Sequence, residues 1–547
     1  MNKKYICFLV VFVIVSSLYL TSPIGTRSIK AKDLRSDAPL KDNMGLIKNS
    51  IVPTFLYVIL EDSLAPGERA MVATLQGVVN SQSNKQIYLL NSSQPDYKVW
   101  LEDLRITYGI PYEHIRDPWE LIDIFRAYVE GYVLYSSKKA EDPSINNATS
   151  LASLNNAIAI EEEMEAKVKL KGITELKGDC RNTEEGWAYE NLWDKGLNHS
   201  LVIQLSLDMP SSLRDYAIMA KALVFYERNT DKTELRDKIY SSMERNGVVL
   251  GWQEGEFTNV SAASKHGVSV VAADWSYNLT VLSAFPSIPV EKEAAFDIRK
   301  ERDVHYVTFI MSDGDNQQWY LGNNYTSPKW FGAPNRSSLN LGWSISPSIY
   351  YLAPTVFNLY YKSIREEKIP NNFIVAPSGK GYMYPSMYPA EDLDSYIDSL
   401  GTYMEKVQER YVAVIDQSSL LDIKLWNSFT DNPQIEGLFY LDYSRHDNYQ
   451  GRILWSNNKP IVSCRDLLWG GIEDEEELVK KINARVSSGQ TNPQKADAYT
   501  FVYVHVWSKG VNNVSEVVDK LRDNPRIRVV IPEVFMGLIK ENIHGGH

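Results

Sequence analysis

Tyr306-Val307-Thr308-Phe309-Ile310-Met311, followed at once by Ser312-Asp313-Gly314-Asp315-Asn316, sets the reading of the whole chain. It is a β-rich apolar run that stops abruptly in a turn carrying two carboxyl groups. The same grammar returns seven times toward the C-terminus. Strands are expected at Gly342–Ser346, Phe373–Ala376, Tyr411–Ile415, Gly437–Leu441, Pro460–Ser463, Tyr499–Val506 and Ile527–Ile531. Helical patterns lie between most of them, for example at Thr355–Glu366, Glu391–Val407, Leu420–Phe429, Glu473–Ala484 and Val514–Leu521, and a final helix, Phe535–Asn542, follows the eighth strand. Eight strand-then-helix units in about 240 residues is the count and size of a (β/α)8 barrel. The expected class is therefore α/β with a C-terminal TIM-like barrel. A doubly wound open sheet alternates in the same way, but eight strands ending in a helix favour closure.

Upstream, the alternation continues in smaller units. Thr54–Leu60, Gln86–Leu90 and Tyr132–Tyr135 read as strands, with helices at Pro66–Ser81, Asp96–Tyr108 and Pro118–Tyr128. A second stretch runs from strand Ala157–Ile160 through helix Glu161–Lys171, helix Trp187–Leu192 and strand Leu201–Leu205 to helix Ser212–Glu227. A third small unit starts near Asp231, with helix Glu234–Arg245 and strands Val248–Trp252, Val268–Ala273 and Thr280–Ala284. The expected organisation is a signal peptide over 1–31, α/β domains over 48–138, 139–230 and 231–297, and the barrel over 298–547. No phosphate-cradling glycine loop occurs in the three small units, which read as support for the last.

Met1-Asn2-Lys3-Lys4 is a short basic start, Tyr5–Leu20 an apolar run, and Ile29-Lys30-Ala31 a cleavage site ending in a small residue. That order is the grammar of a secretory signal peptide, so a secreted or cell-surface protein is expected, without stable membrane insertion after cleavage. An uncleaved anchor is the competing reading, since a mainly apolar run of 16 residues falls a little short of the roughly 20 that span a bilayer. The chain of 547 residues carries a net charge of −12; removing residues 1–31 takes away Lys3, Lys4, Arg27 and Lys30 and no acid, which gives −12 − 4 = −16. An acidic chain without a basic cluster excludes nucleic acid as the partner. Cys180 and Cys464 are the cysteines left after cleavage, and they fall in different units, so no disulfide framework is expected. No Cys/His pair has zinc-binding spacing; neither a metal nor another cofactor is expected.

Barrel chemistry sits on the loops leaving the carboxyl ends of the strands. Asp313 and Asp315 end the first strand, Asp416 the fourth, Asp442 the fifth, Asp466 the sixth and Glu533 the eighth. Each has a plain structural reading too, because an acid after a strand caps the next helix. Asp416 stands before Ser418-Ser419 and a helix, Asp466 stands next to Arg465, and Glu533 suits a helix dipole. Asp442 is harder to dismiss, since no obvious helix follows it. The Asp313-Gly314-Asp315 pair is the densest feature: Gly314 permits a sharp turn, and two close carboxyls raise one another's pKa, as general acid catalysis requires. An Asp-Gly turn whose acids bond nearby amides is the structural alternative.

The third strand ends in Ser378-Gly379-Lys380-Gly381-Tyr382-Met383-Tyr384-Pro385. Two glycines and a proline make a short rigid loop, from which Tyr382 and Tyr384 are expected to project as a sugar-stacking surface, with Lys380 beside them. Further platforms are expected from Trp319, Trp343, Trp469 and Trp507, with His505 on the same strand face as Trp507. The chain holds 33 Tyr and 13 Trp, a supply that suits carbohydrate.

Gly379-Lys380-Gly381-Tyr382-Met383-Tyr384-Pro385 resembles, position for position, the signature of the GxGYxYP family of glycoside-hydrolase-like proteins. Ser312–Asn316 with Trp319, Gly342-Trp343 with Ser346-Pro347, and His505 with Trp507 are similar to that family's barrel domain. The likeness runs from about Pro53 to the C-terminus, because the family carries several small domains before its barrel. It implies a carbohydrate-active exported protein and supplies no catalytic pair. The expected function is thus a glycoside hydrolase acting on a polysaccharide or glycoconjugate through Asp313 or Asp315 with Asp442, and Asp416 in reserve. A non-catalytic glycan-binding protein is the alternative. A metal-dependent deacetylase-like activity through Asp313, Asp315 and His505 is a third.

Overall fold

In the computed structural model, residues 40–41, 45–229, 232–291, 298–367, 369, 371–444 and 450–543 are described. The expected signal peptide lies outside them. Three small parallel sheets come first. Phe55–Leu60 (β1) sits between Lys85–Leu90 (β2) and Tyr112–Ile115 (β3). Gly131–Tyr135 (β4) sits between Ala157–Glu161 (β5) and Leu176–Asp179 (β6). The third sheet has four strands, Asn198–Gln204 (β7), Ala222–Phe225 (β8), Val248–Gly251 (β9) and Ser269–Val271 (β10), in the order β8-β7-β9-β10. The boundary expected at 230/231 cuts through this sheet, because β7 and β8 come from one side of it and β9 and β10 from the other. The helix expected over Ser212–Glu227 yields the strand β8 in its second half, and the expected strand Thr280–Ala284 is helical at Leu279–Leu282. Ala222-Leu223-Val224-Phe225 is buried throughout, and a fully buried apolar run carries no periodicity to separate helix from strand.

All eight C-terminal strands form: His305–Met311 (β11), Gly342–Ile345 (β12), Asn372–Val375 (β13), Tyr411–Asp416 (β14), Gly437–Asp442 (β15), Lys459–Ser463 (β17), Tyr499–Val504 (β19) and Ile527–Val529 (β20). Two more join them, Ile453–Ser456 (β16), antiparallel to β17, and Asp466–Leu468 (β18). Together they make one large curled sheet of order β16-β17-β15-β14-β13-β12-β11-β19-β18, with β20 attached to β11. β17 and β18 stand near opposite ends of that order, yet only Cys464 and Arg465 separate them in the chain. One bent run thereby pairs with β15 through its first half and with β19 through its second.

The pairing is not the regular eight-strand circle of a TIM barrel. β19 pairs directly with β11 over six residues, so the eighth strand cannot enter between them. β20 instead pairs with His305–Val307 on the opposite edge of β11, which it shares with β12 at Ile310 and Met311. The physical reason is that each β-strand has two hydrogen-bonding edges, and the six-residue ladder to β19 fills one of them. What survives is the feature that positions chemistry: the strands are parallel apart from β16, so their carboxyl ends open on one side.

The third domain docks on that side. Val270 in β10 exchanges two backbone hydrogen bonds with Tyr382, at 2.9 and 2.7 Å, and Ala272 bridges Asn316. The loop after β11 and the loop after β13 are thus held against one edge strand of another sheet. Backbone groups on an edge strand need partners, and here the two loops supply them.

Candidate functional site

Asp313 takes a left-handed backbone conformation, φ 61°, which aspartate tolerates at a cost of about 1 kcal/mol. Gly314 then passes so close to β12 that an added Cβ would sit 1.9 Å from the Ser344 carbonyl oxygen. Its amide donates to Ser344 Oγ at 3.0 Å. The tight turn leaves Asp313 half-buried and Asp315 buried. Asp313 Oδ1 accepts from Trp507 Nε1 at 2.9 Å, and Oδ2 accepts from Ser312 Oγ.

Burial pushes the Asp313 carboxyl up to about 6; the nearby charge of Glu256 adds to this, and the Ser312 and Trp507 bonds oppose it. Asp315 is held well above the usual carboxylate range, first by burial and then by the charges of Asp313 and Glu256. The two carboxyls titrate as a pair. Tyr503 on β19 is buried and lies within the field of both. The arrangement can keep a carboxyl protonated near neutral pH beside an aromatic platform, since the Trp507 ring is 43 % exposed.

The other expected acids are engaged elsewhere. Asp416 is buried, and accepts from Ser386 N at 2.9 Å, Ser386 Oγ at 2.7 Å, Ser419 Oγ at 2.7 Å and Gln417 N at 2.8 Å. It ties the exit of the glycine-tyrosine loop to the end of β14. Asp442 accepts from Ser418 N at 3.0 Å and from Ser444 N at 3.0 Å and Oγ at 2.5 Å. Through these bonds both aspartates tie their own loops, Asp416 to Ser386 and Ser419 and Asp442 to Ser418 and Ser444. Asp466 pairs with Arg485 across β18 and the helix Glu475–Ser487, not with Arg465, whose guanidinium reaches the carbonyls of Asp497 and Tyr499. Glu533 lies in the first turn of the last helix, 3.8 Å from Arg410.

The signature loop departs most from expectation. Gly379 has φ 129°, closed to other residues, as a rigid turn requires. A Cβ on Gly381 would come within 2.9 Å of Ser269 Oγ in the third domain. Tyr382 and Tyr384 do not project toward solvent: they are 3 % and 0 % exposed. They pack with Val260 of the third domain, and Phe257 and Tyr443 flank Tyr384 at ring distances of 5.6 Å. The Tyr384 amide donates to Ser264 Oγ at 2.9 Å. Lys380 is buried as well, with Nζ 4.8 Å from the Tyr396 ring centre. The reason for the difference is that a second domain covers the loop, and burying two tyrosines contributes more than leaving them wet.

The tryptophans divide. Trp343 is fully buried, its Nε1 on Asn371 Oδ1 at 3.2 Å, and is a core residue. Trp319 is buried behind the mouth, 5.2 Å from Trp330 and 5.5 Å from Trp507 between ring centres. Trp469 is half-buried and stacks flat on His505 at 3.7 Å, while His505 Nδ1 bonds Ser508 Oγ at 2.8 Å. Among the described residues no three His, Cys, Asp or Glu side chains are grouped to hold a metal ion.

Sequence reasoning missed two residues of the third domain. Glu256 opens the helix Glu256–Lys265 (α1) and receives the Tyr382 hydroxyl at 2.7 Å. Trp275 is 42 % exposed, and its amide donates to Gln318 Oε1 at 2.9 Å. Nothing local marks either one; they reach the mouth only because β10 docks there.

Comparison with known proteins agrees with this architecture. The chain matches the "GxGYxYP putative glycoside hydrolase C-terminal domain" over residues 303–540. It also matches the first, second and third N-terminal domains of the same family over 55–127, 129–197 and 199–284. The chain belongs to the GxGYxYP family. A crystal structure of a "putative hydrolase" from Bacteroides thetaiotaomicron VPI-5482 is 31 % identical, covers 93 % of this chain and 99 % of its own, and superposes with a TM-score of 0.84. A 4-alpha-glucanotransferase from Thermococcus litoralis matches 44 % of this chain and 40 % of its own at 12 % identity, with a TM-score of only 0.29. No curated protein matches.

Proposed function

We propose that this protein is an exported glycoside hydrolase acting on a polysaccharide or glycoconjugate, with Asp313 of the Asp313–Asp315 pair as the proton donor. One observation carries the reading: a half-buried carboxyl raised to about 6, bonded to an exposed tryptophan, at the carboxyl ends of the strands. Below that pH Asp313 carries the proton that a departing glycosidic oxygen needs. Trp507 and Trp275 offer flat apolar faces on which a sugar ring stacks. The basic-then-apolar N-terminal run supports export, and no helix among the described residues is long and apolar enough to cross a membrane.

The test is a panel of polysaccharides and aryl glycosides, with released reducing ends measured for wild type and Asp313→Asn. Wild type is expected to hydrolyse at least one polysaccharide, and the variant to lose at least about 100-fold on it. On a dinitrophenyl glycoside, whose leaving group needs no proton, the variant is expected to keep most of its rate. Equal activity of wild type and variant on the polysaccharide removes Asp313 from the mechanism. Binding without product on every member of the panel leaves the non-catalytic glycan-binding reading instead.

A further inference from the structure

Glu256 stands in the first turn of α1, where the helix dipole favours a negative charge, and its side chain is exposed. The Tyr382 hydroxyl holds Oε1 at 2.7 Å. Tyr382 is itself fixed, by two backbone bonds to Val270 and by the Tyr384 ring at 5.6 Å. The same domain that carries Glu256 bridges Asn316, next to Asp315, through Ala272 and holds Tyr382 through Val270, and the charge on Glu256 reaches Asp313 and Asp315. On the β19 side of the same aspartates stands the buried Tyr503. Asp442, by contrast, spends its carboxylate on Ser418 and Ser444.

Resting on the glycoside hydrolase reading, the geometry assigns Glu256 as the second catalytic carboxylate, supplied by the third domain and positioned by Tyr382 of the signature. Asp313 gives its proton to the glycosidic oxygen as the C–O bond breaks, and that oxygen keeps the bonding electron pair. Water adds to the anomeric carbon and passes a proton to Glu256. One water is consumed, two hydroxyl groups form, and the carboxyls regain their starting states by proton exchange with solvent. The signature tyrosines, buried and unable to stack on sugar, thereby acquire a function: they lock the catalytic domain to the domain that carries its base.

The experiment compares wild type, Glu256→Ala, Glu256→Gln and Tyr382→Phe on the polysaccharide found above and on an activated aryl glycoside, with and without sodium azide. Both Glu256 variants are expected to fold, since the side chain is exposed, and to lose at least about 100-fold in kcat. Azide is expected to restore turnover to Glu256→Ala on the aryl glycoside and to appear in the product as a glycosyl azide. Tyr382→Phe is expected to lose about tenfold in kcat with little change in KM. Folded Glu256 variants at wild-type rate, while Asp313→Asn is inactive on the polysaccharide, overturn this assignment and leave the hydrolase reading standing. Loss without azide rescue makes Glu256 structural and overturns it equally. A wild type that hydrolyses nothing overturns both.

Discussion

Replacing Asp313 by Asn is expected to stabilise the protein at neutral pH while removing activity. The folded carboxyl titrates near 6, against an ordinary 3.8. Between those values the folded protein holds a proton that the unfolded chain has released, so wild-type stability falls as pH rises through the window. At 1.36 kcal/mol per pH unit the full deficit is about 3 kcal/mol, and solvent at the half-open mouth trims it to about 2 kcal/mol. Asparagine has no proton to lose, and its carbonyl oxygen can still accept from Trp507. Relief of Asp315, which carries the second-largest part of its own shift from Asp313, acts in the same direction. Urea unfolding followed by tryptophan fluorescence, from about pH 4 to about pH 8, measures this. Variant and wild type should coincide at the acid end, diverge between about pH 4 and about pH 6, and stay apart above that, the variant being the more stable. A difference that does not change with pH, or a variant less stable at pH 8, refutes the reasoning. Such a gain from neutralising a functional group is the usual trade of stability for activity.

Two further outcomes are expected. Gly314→Ala drives a methyl into the Ser344 carbonyl, so β11 and β12 must separate; a loss of about 2–3 kcal/mol or more is expected, read as a lower Tm with activity falling in step. Trp507→Ala removes an exposed platform and a bond that lowers the Asp313 pKa, so KM for the glycan should rise about tenfold and the Asp313 limb of the pH profile should move upward; Trp343→Phe, a core change, should leave both where they are once the protein folds.

Much of this was legible in the sequence, and for specific reasons. Each of the eight C-terminal strands was marked by a short apolar run of period two or by continuous apolar residues ending in a polar turn. The Asp313-Gly314-Asp315 turn was marked by its composition alone. The strand β8 and the helix Leu279–Leu282 were not, because short buried segments look alike whichever way they coil. Asp416 and Asp442 were indistinguishable from Asp313 as acids ending strands; only their hydrogen-bond partners, Ser386, Ser419, Ser418 and Ser444, separate clamp from candidate acid.

By itself, then, the chain determined its strand list, the acidic turn after the first barrel strand and the rigid Gly379–Pro385 loop, all of which follow from local backbone and side-chain chemistry. Tertiary structure alone decided the order of the strands, since one six-residue ladder to β19 leaves β20 a single free edge of β11. It also decided that Tyr382 and Tyr384 face a neighbouring domain. Burial is a property of what packs against a residue, and the segment that covers these tyrosines and brings Glu256 to the mouth lies more than a hundred residues earlier in the chain.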